Sequence, residues 1–239
     1  MTNYENSEIA ELENSMIEQR DLLLPNEKIL AVLEAAYHPC SNFGICPQAK
    51  FDPRSGHIPR GFLGATGKLS DVKVVFLFAE PGHPHDGEIY SDTSGVELLK
   101  SGLGHVYNCF KNSRDQFHAN TRWVMNQIWP NLTFDQQLKH VWLTEGRLCS
   151  ITNEIGHFND TICGKRFLVA QLNLLSRAAV IAFGGKAERR LAQIRGDISN
   201  FTISAYSLSP PGANHKPAKP SWLKAVEIVK EQSQNLPNH

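Results

Sequence analysis

A chain of 239 residues with 41% hydrophobic content can bury a full core, and residues 1–239 are expected to form a single α/β domain. The acidic N-terminus is unlike a secretory signal, no apolar run approaches the roughly 18 residues of a membrane span, and five cysteines, an odd number, argue against a disulfide framework. Formal net charge is zero but unevenly spread: the first 36 residues hold eight acidic and two basic side chains, whereas residues 160–224 hold ten basic and three acidic. These features predict a soluble, cytoplasmic protein with no membrane partner, and a local basic excess that permits a nucleic-acid partner.

From Glu5 to Tyr37 apolar residues recur at helical spacing, interrupted by Pro25, which predicts N-terminal helices over 1–37. Residues 38–61, rich in Pro, Gly and Ser, read as an ordered loop holding Cys40 and Cys46. Val72 to Ala79 is apolar at seven of eight positions with no polar alternation, the pattern of a strand buried on both faces. It ends in the loop EPGHPHDGEIYSD. Helices are predicted over Ser94–Leu103, Phe117–Trp129 and Phe134–Lys139, then a second strand over Val141–Thr144. Cys149 follows that strand, and Cys163 lies in the first turn of a helix over Thr161–Ser176.

A third strand over 178–185 leads into the basic helix KAERRLAQIRG, whose last Gly is a natural C-cap. Phe201–Tyr206 is the fourth strand, followed by the polar loop SLSPPGANHKPAKPSW and a final helix, with 233–239 as a frayed tail. The order predicts a three-layer α/β/α sandwich around a short four-stranded, mainly parallel central sheet. Ligands of such sheets bind beyond the carboxyl ends of the strands. There the chain carries AEPGHPHDGEIYSD, TEGRLC and SLSPPGANHK, which offer the acids Glu80, Asp92 and Glu145, the aromatic Tyr90 and a Ser/Asn/His/Lys cluster. That set suits a pocket where a planar group stacks, an acid activates water and donors hold an anion.

These loops, in this order, resemble the motifs of the uracil-DNA glycosylase superfamily, above all its iron-sulfur branches, families 4 and 5. AEPG stands where that superfamily has its first Pro-Gly motif, and Glu80 directly precedes the Pro. YSDTSG resembles the aromatic-then-Gly/Asp/Ser segment that follows. The resemblance implies that Tyr90 stacks on a flipped base, that Asp92 or Glu80 positions water, with Asp92 ahead for water and Glu80 for the charge of the transition state, and that Ala79, Pro81 and Gly82 shape the base pocket beside Ser209. Thr144-Glu145-Gly146-Arg147-Leu148-Cys149 occupies the place of a Thr-Asn-x3-Cys motif, with Glu145 replacing the Asn that contacts the base edge. A carboxylate accepts hydrogen bonds and cannot donate, so the expected substrate is a modified base, such as a modified cytosine of phage DNA, in preference to plain uracil. SLSPP resembles the loop that enters the minor groove, with Ser207 in place of its His; Pro210, Asn214, His215 and Lys216 are the DNA contacts this implies.

Under the same resemblance Cys40, Cys46, Cys149 and Cys163 would hold a 4Fe-4S cluster, although Cys40-x5-Cys46 is wider than the usual Cys-x2-Cys. Zinc or free thiols are the other readings of the four, and Cys109 falls outside the pattern. The implied activity is that of a monofunctional DNA glycosylase, a monomer that flips out and excises a damaged or modified base in repair or phage defence. The alternatives are a catalytically inactive nucleic-acid-binding relative and a hydrolase of small nucleosides or nucleotides.

Overall fold

The computed structural model describes residues 23–46, 48–91, 95–150 and 161–235. The predicted helix before Pro25 falls almost entirely outside them. The side chain of Asn26 caps α1 (Glu27–Glu34) by accepting the Lys28 N–H at 3.2 Å, and Ile29 and Leu33 turn inward.

Five strands form one sheet: β1 (Leu63–Gly64), β2 (Val74–Phe78), β3 (Val141–Glu145), β4 (Ala179–Phe183) and β5 (Thr202–Ala205), in the order β1-β3-β2-β4-β5. β2 to β5 are parallel, and β1 runs antiparallel to β3. The sheet therefore has one strand more than the four expected. Leu63 and Gly64 pair with Leu143 and Trp142, a ladder two residues long that leaves no periodicity to detect. All residues of β2, β3 and β4 are buried, as required of strands covered by helices on both faces. The α/β sandwich expected from the element order is what forms.

α2 (Gly95–Lys111) runs eight residues beyond the Leu103 end expected for it. Gly102 and Gly104 suggest a stop, yet the apolar face continues through Val106, Tyr107 and Phe110. Gly102 serves packing: a Cβ there would stand 2.8 Å from Ile58 Cδ1. α3 (Gln116–Ile128) is capped by Asp115, which accepts the His118 N–H at 3.0 Å, and α4 (Phe134–Gln137) by a Thr133/Gln136 capping box. A π-helical stretch over Gly164–Leu168 follows Cys163 and leads into α5 (Val169–Leu174). α6 (Gly185–Gln193) ends before Gly196, which sits in a 3-10 turn and not at the C-cap expected of it. α7 (Ala218–Asn235) closes the described chain.

The chain leaves β2 toward β3 on one side and leaves β4 toward β5 on the other. β2 and β4 are neighbours, so the topological switch point, with its crevice, lies at their carboxyl ends.

Candidate functional site

A cleft of about 670 Å³ opens at that switch point. Glu80 beyond β2, Glu145 ending β3, Gly184 beyond β4 and Ser209 beyond β5 all line it, and so do Ala79, Pro81, Gly82 and Pro210. The polar tips of the three strands singled out in the sequence thus share one cavity. The aligned registers explain this: Phe78 pairs with Glu145, and Phe183 with Ala205, so the strands stop at one level.

Glu80 is clamped. Its Oε2 accepts from Arg190 Nη2 at 2.5 Å and its Oε1 from Lys186 Nζ at 3.3 Å, both donors on α6. Gly146 makes room for this arrangement, because a Cβ there would collide with the Arg190 side chain. A carboxylate held at both oxygens by cations is fixed in place and is a weaker base than a free one. Two of the basic side chains read as a phosphate-attracting excess are therefore turned inward onto Glu80.

Glu145 is only 5% exposed, and its Oε2 has no hydrogen-bond partner among the described residues. Burial, reinforced by the nearby Glu80 charge and opposed by Arg190 and Arg60, pushes its carboxyl well above the usual carboxylate range. A shift in this direction favours the protonated form, which donates as well as accepts. Its stem packs against Gly61, whose positive φ of 87° and missing Cβ leave the space.

A second buried carboxyl, Glu88, organises the opposite wall. Arg60 Nη1 donates to its Oε1 at 2.6 Å, the Tyr90 hydroxyl donates to the same oxygen at 2.7 Å, and the His85 N–H donates to Oε2 at 2.9 Å. His105 Nε2 is 3.4 Å from Oε2. Desolvation alone would raise the carboxyl, but the bonds from Tyr90 and Arg60 prevail and hold it below its ordinary value. Arg60 also donates to the carbonyls of Gly56 and Gly82, tying the loop after β2 to the segment before β1.

This wall corrects the role expected of Tyr90. Its ring is 5% exposed and does not line the cleft; its hydroxyl is spent on Glu88. The aromatic surfaces that do line the cleft are Phe78, Phe110, Phe117 and Phe183 with His83, His85, His105 and His118. Asp92 lies outside the described residues. Asn214, His215 and Lys216 are exposed beyond the cleft lining. The Asn214 amide oxygen accepts from Gln116 at 2.8 Å, and the His215 ring sits 6.3 Å from that of Tyr206. Ser209 bonds through its N–H to Ser207 Oγ at 3.0 Å, and Pro210–Pro211 is a cis peptide.

Two groups of side chains have the character of metal ligands. His85, His105 and Cys109 line the cleft with one ligand atom each, all within 4.8 Å of one another, close enough to bind a metal. Away from the cleft, Cys40, Cys46, Cys149 and Cys163 converge on a small nook closed by Ala36, Phe43 and Phe167. Burial and then the thiols of Cys163, Cys46 and Cys40 push the Cys149 thiol up. The Leu148 N–H donates to Cys163 Sγ at 3.4 Å, and fully buried Arg147 places Nη2 3.2 Å from Cys46 Sγ.

Glu88, Arg60, His85, His105 and Cys109 were not among the site residues expected from sequence. One signal was available: His105 and Cys109 stand four apart in a helical stretch, the spacing that places two ligands on one face. Arg60 and Glu88, 28 residues apart, carry no such signal. No family model matches the chain, and no curated protein sequence matches it.

Proposed function

We propose that the protein is a DNA glycosylase that draws a damaged or modified base out of the helix into the switch-point cleft and hydrolyses its glycosidic bond. The observation that carries this reading is the convergence of Glu80, Glu145 and Ser209 on one cavity of nucleotide-accommodating size. In this reading the neutral Glu145 carboxyl reads the base edge, because a carboxylic acid sets a donor beside an acceptor as an amide does. The lost donor that argued against an amide-type contact is thereby restored. Glu80, anchored by Arg190 and Lys186, supplies negative charge to the oxocarbenium-like sugar as the bond breaks. Ser209 and Pro210 support the sugar, and the exposed Asn214, His215 and Lys216 meet phosphates.

The four thiols fit a 4Fe-4S cluster as a structural group outside the cleft. Among the described residues, the group with all ligand atoms within 4.8 Å is the His/His/Cys set and not the thiols. A single tetrahedral zinc with Zn–S of about 2.3 Å needs sulfurs about 3.8 Å apart. The N–H donors to sulfur and the guanidinium of Arg147 match thiolate charge. When bound, the cluster would pin the loop carrying Cys40 and Cys46 to the segment after β3.

The test is incubation with single- and double-stranded oligonucleotides carrying deaminated, methylated, hydroxymethylated and glucosylated bases, followed by alkali. Strand cleavage at one of these bases, abolished by Glu80→Gln in a folded variant, supports the reading. Intact strands across the whole panel overturn it. Anaerobically purified protein should show broad visible sulfur-to-iron absorption that Cys149→Ser removes.

A further inference from the structure

His105 and Cys109 leave the same face of α2, one turn apart. His85 reaches them from the loop after β2, so a local helical pair is completed by one distant residue. His105 Nε2 and Cys109 Sγ are 3.5 Å apart. Tetrahedral zinc, with Zn–S of about 2.3 Å and Zn–N of about 2.0–2.1 Å, sets that edge at about 3.5 Å, so an ion can enter between them without displacing the helix. Two imidazoles and a thiol suit a borderline-soft divalent ion and are poor ligands for magnesium or calcium, which require oxygen.

We propose that His85, His105 and Cys109 bind one zinc-class divalent cation in the wall of the cleft, leaving a fourth position open to an oxygen ligand from within it. Three protein ligands and an open position are the arrangement of reactive zinc centres, whereas structural sites close all four. The surroundings fit a cation. Glu88 Oε2 lies 3.4 Å from His105 Nε2, which puts a carboxyl oxygen next to the ion position, with Arg60 on the other carboxyl oxygen. His118, also in the lining, has its ring 6.5 Å from that of His85 and extends the imidazole-rich wall. The site shares no residue with the four-thiol nook, and it rests on ligand geometry alone, whether or not the protein excises bases.

Equilibrium dialysis of the full chain against zinc, with the metal counted by atomic emission, tests the proposal. At equal free zinc, His85→Ala and Cys109→Ser should each hold one equivalent less than wild type, and Cys149→Ser should retain that equivalent. Loading with cobalt reads the donors: the difference spectrum between wild type and Cys109→Ser should contain one thiolate-to-cobalt charge-transfer band. His85 is a partly exposed loop residue, so His85→Ala remains decisive even if a change at buried Cys109 disturbs folding. Equal zinc in wild type and a folded His85→Ala variant overturns the site.

Discussion

Glu145 and Glu88 line the same cleft, are 5% and 8% exposed, and have their carboxyls shifted in opposite directions. Glu145 leaves a carboxyl oxygen without a donor and faces the Glu80 charge, so burial raises its carboxyl well above the ordinary range. Glu88 is less deeply desolvated and receives a guanidinium, a phenol and a backbone N–H, which hold its carboxyl below the ordinary value. Depth and donors act together: full burial without a donor raises one carboxyl, and partial burial with three donors lowers the other. Two carboxyls split in this way are the usual basis for dividing the work of an acid and a charge within one site.

The comparison is most sharply broken at Glu88. Glu88→Gln leaves Arg60 buried without its counter-charge and should cost about 3–5 kcal/mol in urea unfolding; a loss under about 1 kcal/mol would show that the network stabilises little. Because the Glu88 carboxyl is held below its ordinary 4.5, its contribution is present above that value and disappears as pH falls through the lower folded value. Wild type should consequently lose stability on acidification more steeply than the variant.

Next comes the chemistry. Glu80→Gln keeps the shape of the clamp and removes the charge, which should lower the excision rate about 10²–10³-fold in protein shown to be folded, with some loss of Tm because Arg190 and Lys186 lose their counter-charge. A variant with full activity would remove Glu80 from the mechanism.

Glu145→Gln sharpens the contrast from the other side. A raised carboxyl contributes stability that is complete below its unfolded value near 4.5 and is lost as pH rises through the folded value. The variant lacks this loss, so its Tm relative to wild type should climb from pH 5 to pH 8. Excision should stay within about tenfold, the worth of one ordinary hydrogen bond, since an amide preserves both donor and acceptor. A Tm difference independent of pH would mean that Glu145 is not neutral. The smallest effect belongs to the rim: Lys216→Ala should lower the salt dependence of DNA binding by about one phosphate contact, read as a slope reduced by about 1.

Much of the architecture was legible. The run from Val74 to Phe78 has no polar face, and a strand of that kind demands cover on both sides. Glu80, Glu145 and Ser209 were legible because each sits where a strand turns into a polar loop. Tyr90 was misread because its alternation with Glu88 sends both side chains into the same buried network, which its spacing in a loop does not reveal. His85 and Glu88 lie in the loop where a site is expected, but their pairing with Arg60 and His105 is not legible because the four come from three separate segments.

Sequence by itself determined the layers, the direction of the sheet and the strand ends where a site belongs, since hydrophobic period and chain punctuation are local properties of neighbouring residues. Only the tertiary structure decided that the Glu145 carboxyl is shifted up and the Glu88 carboxyl down, that Glu80 is held by α6, and that a loop histidine stands beside the helical His105/Cys109 pair. Those outcomes depend on desolvation and on charges a few ångströms away in space, which residues far apart in the chain supply only after folding.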